Sequence, residues 1–175
     1  GDGSLGGKGR GLAFLDRMLI NHENLQGENH ITCIPKTLVL CTDIFDEFME
    51  TNDLYGIAMS DISDEEMLAC FLRGRLPHRL LADLEVFIDV VKSPLAIRSS
   101  SLLEDSHYQP FAGIYSTYMI PYDEDKYCRL EMLSNAIKSV YASVYFRGSK
   151  DYMTATSNVI DQEKMAVILQ GPHFR

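Results

Sequence analysis

Leu95-Ala96-Ile97-Arg98-Ser99-Ser100-Ser101, running on through Leu102-Leu103-Glu104-Asp105 to Phe111-Ala112-Gly113, decides how this chain is read. Ser93-Pro94 ends the helical pattern before it, because proline disfavours helical backbone in the residue it follows. Leu95 to Ile97 then reads as a short apolar strand, with Arg98 to Ser101 as a polar loop at its tip. An arginine leaving a strand can grip a phosphate through two parallel hydrogen bonds. Ser99, Ser100 and Ser101 add hydroxyls, and Gly113 permits close backbone approach to an anion. The same residues suit a plain surface turn in which Arg98 pairs with Glu104 or Asp105. This stretch alone leaves both readings open.

A second basic loop stands upstream, Gly1-Asp2-Gly3-Ser4-Leu5-Gly6-Gly7-Lys8-Gly9-Arg10-Gly11. Gly1, Gly3 and Gly6 match the dinucleotide pattern GxGxxG, but that fingerprint needs a strand before it and an acidic residue after the next strand. Walker A fails as well, since Asp2 holds its first glycine position and Gly9 its hydroxyl position. The physical reading survives both failures. Glycines bring backbone N–H groups close to an anion, and the loop enters a helix whose N-terminus favours negative charge. Leu12, Leu15, Met18 and Leu19 give that helix one apolar face, and Lys8 and Arg10 add cations beside its start. A glycine-rich lead-in with two solvated cations remains the alternative.

Outward from these loops the pattern alternates strands and helices. Thr37-Leu-Val-Leu-Cys41 suits a buried strand after Pro35, and Asp43 is expected to cap a helix carrying Ile44, Phe45, Phe48 and Met49. Ser63-Asp-Glu-Glu66 is a capping box that opens a helix to about Leu72. Pro77 suits the first turn of another, where Leu80, Leu81, Leu84, Phe87, Ile88 and Val91 recur at helical spacing. Tyr115 to Ile120 can form the next strand. Leu130, Leu133, Ile137, Val140, Tyr141 and Val144 mark a long helix, led in by Asp123-Glu-Asp125, and Lys164 to Gln170 is a last strand. The expectation is an α/β (α+β) fold, a mixed sheet with flanking helices.

At 175 residues, with 46% hydrophobic residues, the chain can bury a real core. A net charge of −9 disfavours non-specific nucleic-acid binding. Cys33, Cys41, Cys70 and Cys128 are widely spaced with no CxxC pair, so free thiols in a reducing, cytoplasmic setting are expected, with no metal site. There is no apolar stretch of membrane-spanning length and no basic-then-apolar leader. His22, His30, His78, His107 and His173 read as surface or loop residues. Asp61, Asp64, Glu65 and Glu66 read as a solvated capping turn.

Taken in order, Gly6-Gly7-Lys8 before a helix, a Pro-led strand, then apolar–Arg98-Ser99-Ser100, Glu104-Asp105 and Phe111-Ala112-Gly113 resemble the front of the ATP-binding domain of the phosphoenolpyruvate synthase and pyruvate phosphate dikinase family. Met165-Ala-Val-Ile-Leu-Gln170 is similar to a later strand of that family ending in Val-Gln. The resemblance implies an ATP-grasp-like sheet, with residues 1–175 as its front portion. It implies ATP and Mg²⁺ as cofactors, with Lys8 and Arg98 as catalytic residues on the phosphates. Gly6, Gly7, Ser99, Ser100, Phe111, Ala112 and Gly113 would complete the nucleotide site. It further implies transfer of a phosphoryl group through a histidine on another domain to pyruvate, a partner reached through domains absent here. A chain holding one side of such a site is expected to be inactive alone.

Two departures from the family pattern stand out. Ile114 replaces the glutamine that follows Phe-Ala-Gly, and Ser101-Leu102-Leu103 replaces a spacer of small residues. A sister dikinase acting on another acceptor, or a nucleotide-sensing or docking module without transfer, therefore stands beside the main reading.

Overall fold

The computed structural model describes residues 37–101, 117–155 and 165–171. Four described strands form one sheet: β1 (Thr37–Leu40), β2 (Leu95–Ser101), β3 (Tyr118–Ile120) and β4 (Met165–Gln170). Their order is β1-β4-β2-β3, and all three pairings among them are antiparallel. Helices cover one face of this sheet, so the α/β class expected from the sequence is the class observed.

The pleat explains which face is covered, because alternate side chains of a strand point to opposite sides. Leu38, Leu169 and Ile97 lie in register across three strands and are all buried. Leu40 and Val167 form a parallel row of the same kind, as do Leu95 and Ile120. The intervening residues Thr37, Val39, Ala96 and Gln170 are half-buried, while Arg98 and Met119 are exposed. The sheet thus has a core face and a more open, partly polar face.

Helix α1 (Thr42–Thr51) follows β1 directly and buries Ile44, Phe45, Phe48 and Met49. The residue expected to cap it, Asp43, instead sits within its first turn. The cap position belongs to Cys41, which makes no side-chain cap, and Asp43 accepts from the neighbouring Ile44 N–H at 3.1 Å. A short helix α2 (Tyr55–Ala58) leads to α3 (Asp64–Arg73). The capping box there is complete: Glu66 N–H donates to Ser63 Oγ at 3.1 Å and Ser63 N–H to Glu66 Oε1 at 3.3 Å. Helix α4 (His78–Val90) starts after Pro77, and buries Leu80, Leu84, Phe87 and Ile88.

The long helix α5 (Lys126–Ser143) is capped by Asp125, whose carboxylate accepts from Tyr127 N–H at 3.0 Å. It packs against α3 and α4 on one side and β2, β3 and β4 on the other. Nine of its residues are buried, so it is the centre of the fold and not a surface helix with one apolar stripe. Helix α6 (Arg147–Ala155) follows. Phe45, Phe48, Phe71, Tyr141 and Tyr145 pack their rings at centroid distances of 5.1 to 6.5 Å, joining α1, α3 and the end of α5. Edge-to-face and tilted contacts of this kind add to the burial of the rings themselves.

Candidate functional site

The first difference from the sequence reading concerns Arg98. Ile97 does not end the strand: β2 continues to Ser101, and Arg98, Ser99, Ser100 and Ser101 pair with Ile168, Val167, Ala166 and Met165 of β4. A partner strand far along the chain supplies the ladder bonds that turn this polar segment into sheet. Arg98 is therefore fixed in backbone, where a loop would leave it free to move.

The pleat then separates Arg98 from its neighbour. Arg98 is exposed and lies on the open face, whereas Ser99 stands opposite buried Val167, on the core side, and is half-buried. Adjacent strand residues cannot offer their side chains to one face. The Ser99 hydroxyl is thus not on Arg98's side of the sheet, although its backbone stays at the same rim. The backbone of Ser100 lies in the same ladder.

On the open face, Arg98 Nη2 donates to Gln170 Oε1 at 3.1 Å, a contact between residues 72 positions apart in sequence. Gln170 sits opposite Thr37 on one side and Ala96 on the other, so its backbone is held between two strands. Sequence reasoning placed Gln170 only at the end of a core strand. The usable signal was a polar residue closing an apolar run, one residue out of phase with buried Leu169.

Gly6, Gly7, Lys8, Phe111, Ala112 and Gly113 lie outside the described residues, as do Glu104, Asp105 and Ile114. The nucleotide site that the resemblance builds from Lys8, Arg98 and Gly113 therefore lies partly outside them too. Of the readings open at Arg98, the contact described here is with a neutral amide.

Elsewhere, local chemistry is structural. Asp64 Oδ1 accepts from Arg147 N–H at 2.8 Å, and Asp61 pairs with the Arg147 side chain at 3.0 Å, so this acidic turn anchors the start of α6. No group of three or more His, Cys, Asp or Glu among the described residues could hold a metal ion. Cys70 and Cys128 are free thiols, and desolvation, with the charge on Asp123 as a smaller cause, raises the Cys128 thiol above its usual range. A cavity of about 380 Å³ lies beside α3, lined by Ile57, Ile62, Ala69, Cys70 and Arg73. It contains none of the candidate site residues. No helix among the described residues is long and apolar enough to cross a membrane.

The chain is similar to known proteins over most of its length. The uncharacterized phosphotransferase YvkC of Bacillus subtilis (strain 168) is 26% identical over 149 residues, covering 79% of this chain. The matched part is 16% of that relative, so the chain spans about a sixth of its length. The family model for the AMP/ATP-binding domain of pyruvate phosphate dikinase matches residues 2–171. That match takes in both basic segments and all four described strands, and the chain belongs to the pyruvate phosphate dikinase AMP/ATP-binding domain family.

Proposed function

We propose that this chain is the front portion of the ATP-binding domain of a phosphotransferase that passes a phosphoryl group from ATP, through a histidine on another domain, to pyruvate, making phosphoenolpyruvate. The observation that carries the reading is Arg98, an exposed cation on the open face of a rigid antiparallel ladder, within a chain of an ATP-binding family. ATP, when bound, supplies the phosphoryl group. The chain's residues bind and orient it: Arg98 engages phosphate oxygens, and Lys8 adds a second cation. Gly6, Gly7, Ser99, Ser100, Phe111, Ala112 and Gly113 complete the nucleotide site in this reading. Such chemistry is mainly positioning and charge neutralisation. The described residues offer no carboxylate cluster fit for Mg²⁺, so no step is assigned to a metal here.

The acceptor is the point at which a neighbouring reading stands: the similar Bacillus protein is named a phosphotransferase with no acceptor stated. The test uses the full-length protein with phosphate-labelled ATP. We expect an acid-labile protein-bound phosphate, discharged on addition of pyruvate with formation of phosphoenolpyruvate. Labelling without discharge by pyruvate would move the assignment to another acceptor. Absence of both labelling and ATP binding would refute the reading.

A further inference from the structure

We infer that Gln170 is a positioning residue for Arg98, holding its guanidinium on the open sheet face in the orientation that meets a nucleotide phosphate; this rests on the ATP-binding reading above. Three observations carry it. The Gln170 side-chain oxygen accepts from Arg98 Nη2 at 3.1 Å. Both residues sit on strands whose register is fixed, since Arg98 pairs with Ile168 and Gln170 with Ala96, which sets the two side chains diagonally across one face. Gln170 is also paired on its far side with Thr37, so the acceptor is anchored from both flanks.

The chemistry of the acceptor matters as much as its position. An arginine side chain has large rotamer freedom, and a grip on phosphate needs its planar fork aimed in advance. A carboxylate would aim the fork but cancel its charge. The amide of Gln170 aims it through one donor without itself neutralising the positive charge, with the planar group oriented for an incoming anion. Gln170 thereby acts on the phosphate end of the ligand through Arg98.

A double-mutant cycle on the full-length protein tests this, with ATP and adenosine titrated calorimetrically into wild type, Gln170→Met, Arg98→Ala and the double variant. Gln170→Met should weaken ATP binding by about five- to tenfold, and the double variant should match Arg98→Ala within about twofold. Adenosine, which lacks phosphates, should bind all four proteins alike. Gln170→Asn withdraws the acceptor by one carbon and should reproduce the loss, which guards against a packing defect peculiar to methionine. Additive losses, an unchanged Gln170→Met, or equal weakening toward adenosine would each overturn the inference while leaving ATP binding intact. No ATP binding by the wild type would overturn the functional reading and this inference together.

Discussion

The guanidinium carbon of Arg129 lies 4.7 Å from the ring centroid of Tyr122, and the residue is buried, at 5% exposure. Its two terminal nitrogens donate to the carbonyl oxygens of Ile88 at 3.0 Å and Val91 at 2.6 Å. Those carbonyls end α4, where no next turn of helix exists to satisfy them. One side chain of α5 therefore closes the helix that runs into β2, and so helps fix where the strand bearing Arg98 begins.

Replacing Arg129 with Met should cost about 2–4 kcal/mol, because two buried carbonyls lose their donors while the apolar stem is kept. For a chain of this size that corresponds to a fall in Tm of roughly 4–16 °C. Lys, with one compact ammonium in place of a fork, should recover less than half. Urea and thermal denaturation of the three proteins check this; a loss below about 1 kcal/mol would mean that water takes over both carbonyls.

Two glycines should respond in opposite directions to alanine. A Cβ on Gly74 would lie 3.0 Å from Phe48 Cζ and 3.2 Å from Asn52 Cγ. Neither can retreat easily: Phe48 is fully buried, and Asn52 is hydrogen-bonded to the Phe48 and Arg75 carbonyls and the Arg75 N–H. Gly74→Ala should destabilise by about 1–3 kcal/mol through overpacking. Gly148, in α6, would place a Cβ in open space. Gly148→Ala should stabilise by about 0.4–1 kcal/mol, through reduced freedom of the unfolded chain. Urea midpoints of the two variants against wild type decide both signs.

Alkaline stability should depend on Tyr141. Burial raises its phenol above the ordinary value of 10.0, with the Asp43 carboxylate adding to the effect. The folded protein then keeps the proton at pH values where the unfolded chain has lost it. The contribution is complete below pH 10.0 and is lost as pH rises through the raised value, so stability falls with pH in that window. Lys138, lowered by burial, has the opposite sign but is common to both proteins compared. The Tyr141 hydroxyl is also buried without a hydrogen-bond partner among the described residues. Tyr141→Phe should thus be neutral or slightly stabilising near pH 7, and should lose stability less steeply than wild type above roughly pH 10. Parallel slopes in urea melts across that range would contradict the assignment.

What the sequence revealed divides along the range of the interaction. The Ser63–Glu66 capping box is local, made within three residues, and was legible directly; the Asp123–Asp125 lead-in marked the start of α5, though not Asp125 as its cap. The apolar spacing of Leu80, Leu84 and Phe87 marked α4 for the same reason. The extent of β2 was not legible, because the bonds that make Arg98 to Ser101 a strand come from β4. A serine-rich segment has weak strand preference of its own, and nothing near it in sequence announces the pairing. The same long-range pairing hid Gln170: its place beside Arg98 exists only once β4 is inserted between β1 and β2. Arg98 was singled out as a candidate by its chemistry, while its phase, opposite to that of Ser99, needed the register.

Arg98 gives the prediction that bears most on function. Charge-assisted contacts to phosphate are worth roughly 1.5–3 kcal/mol each, so Arg98→Ala in the full-length protein should lower ATP affinity or turnover by about ten- to a hundredfold. Lys should restore only part of this, since it has the charge without the planar fork. The side chain is exposed and its described contact is one hydrogen bond to Gln170, so the same substitution should shift stability by no more than about 1 kcal/mol. A purely structural arginine would reverse the pattern, with a changed melt and unchanged kinetics. Steady-state rates with ATP as the varied substrate, measured beside a thermal melt of each variant, separate the two. Wild-type kinetics in Arg98→Ala would remove the phosphate role from this residue and leave the ATP-binding reading to rest on the family match alone.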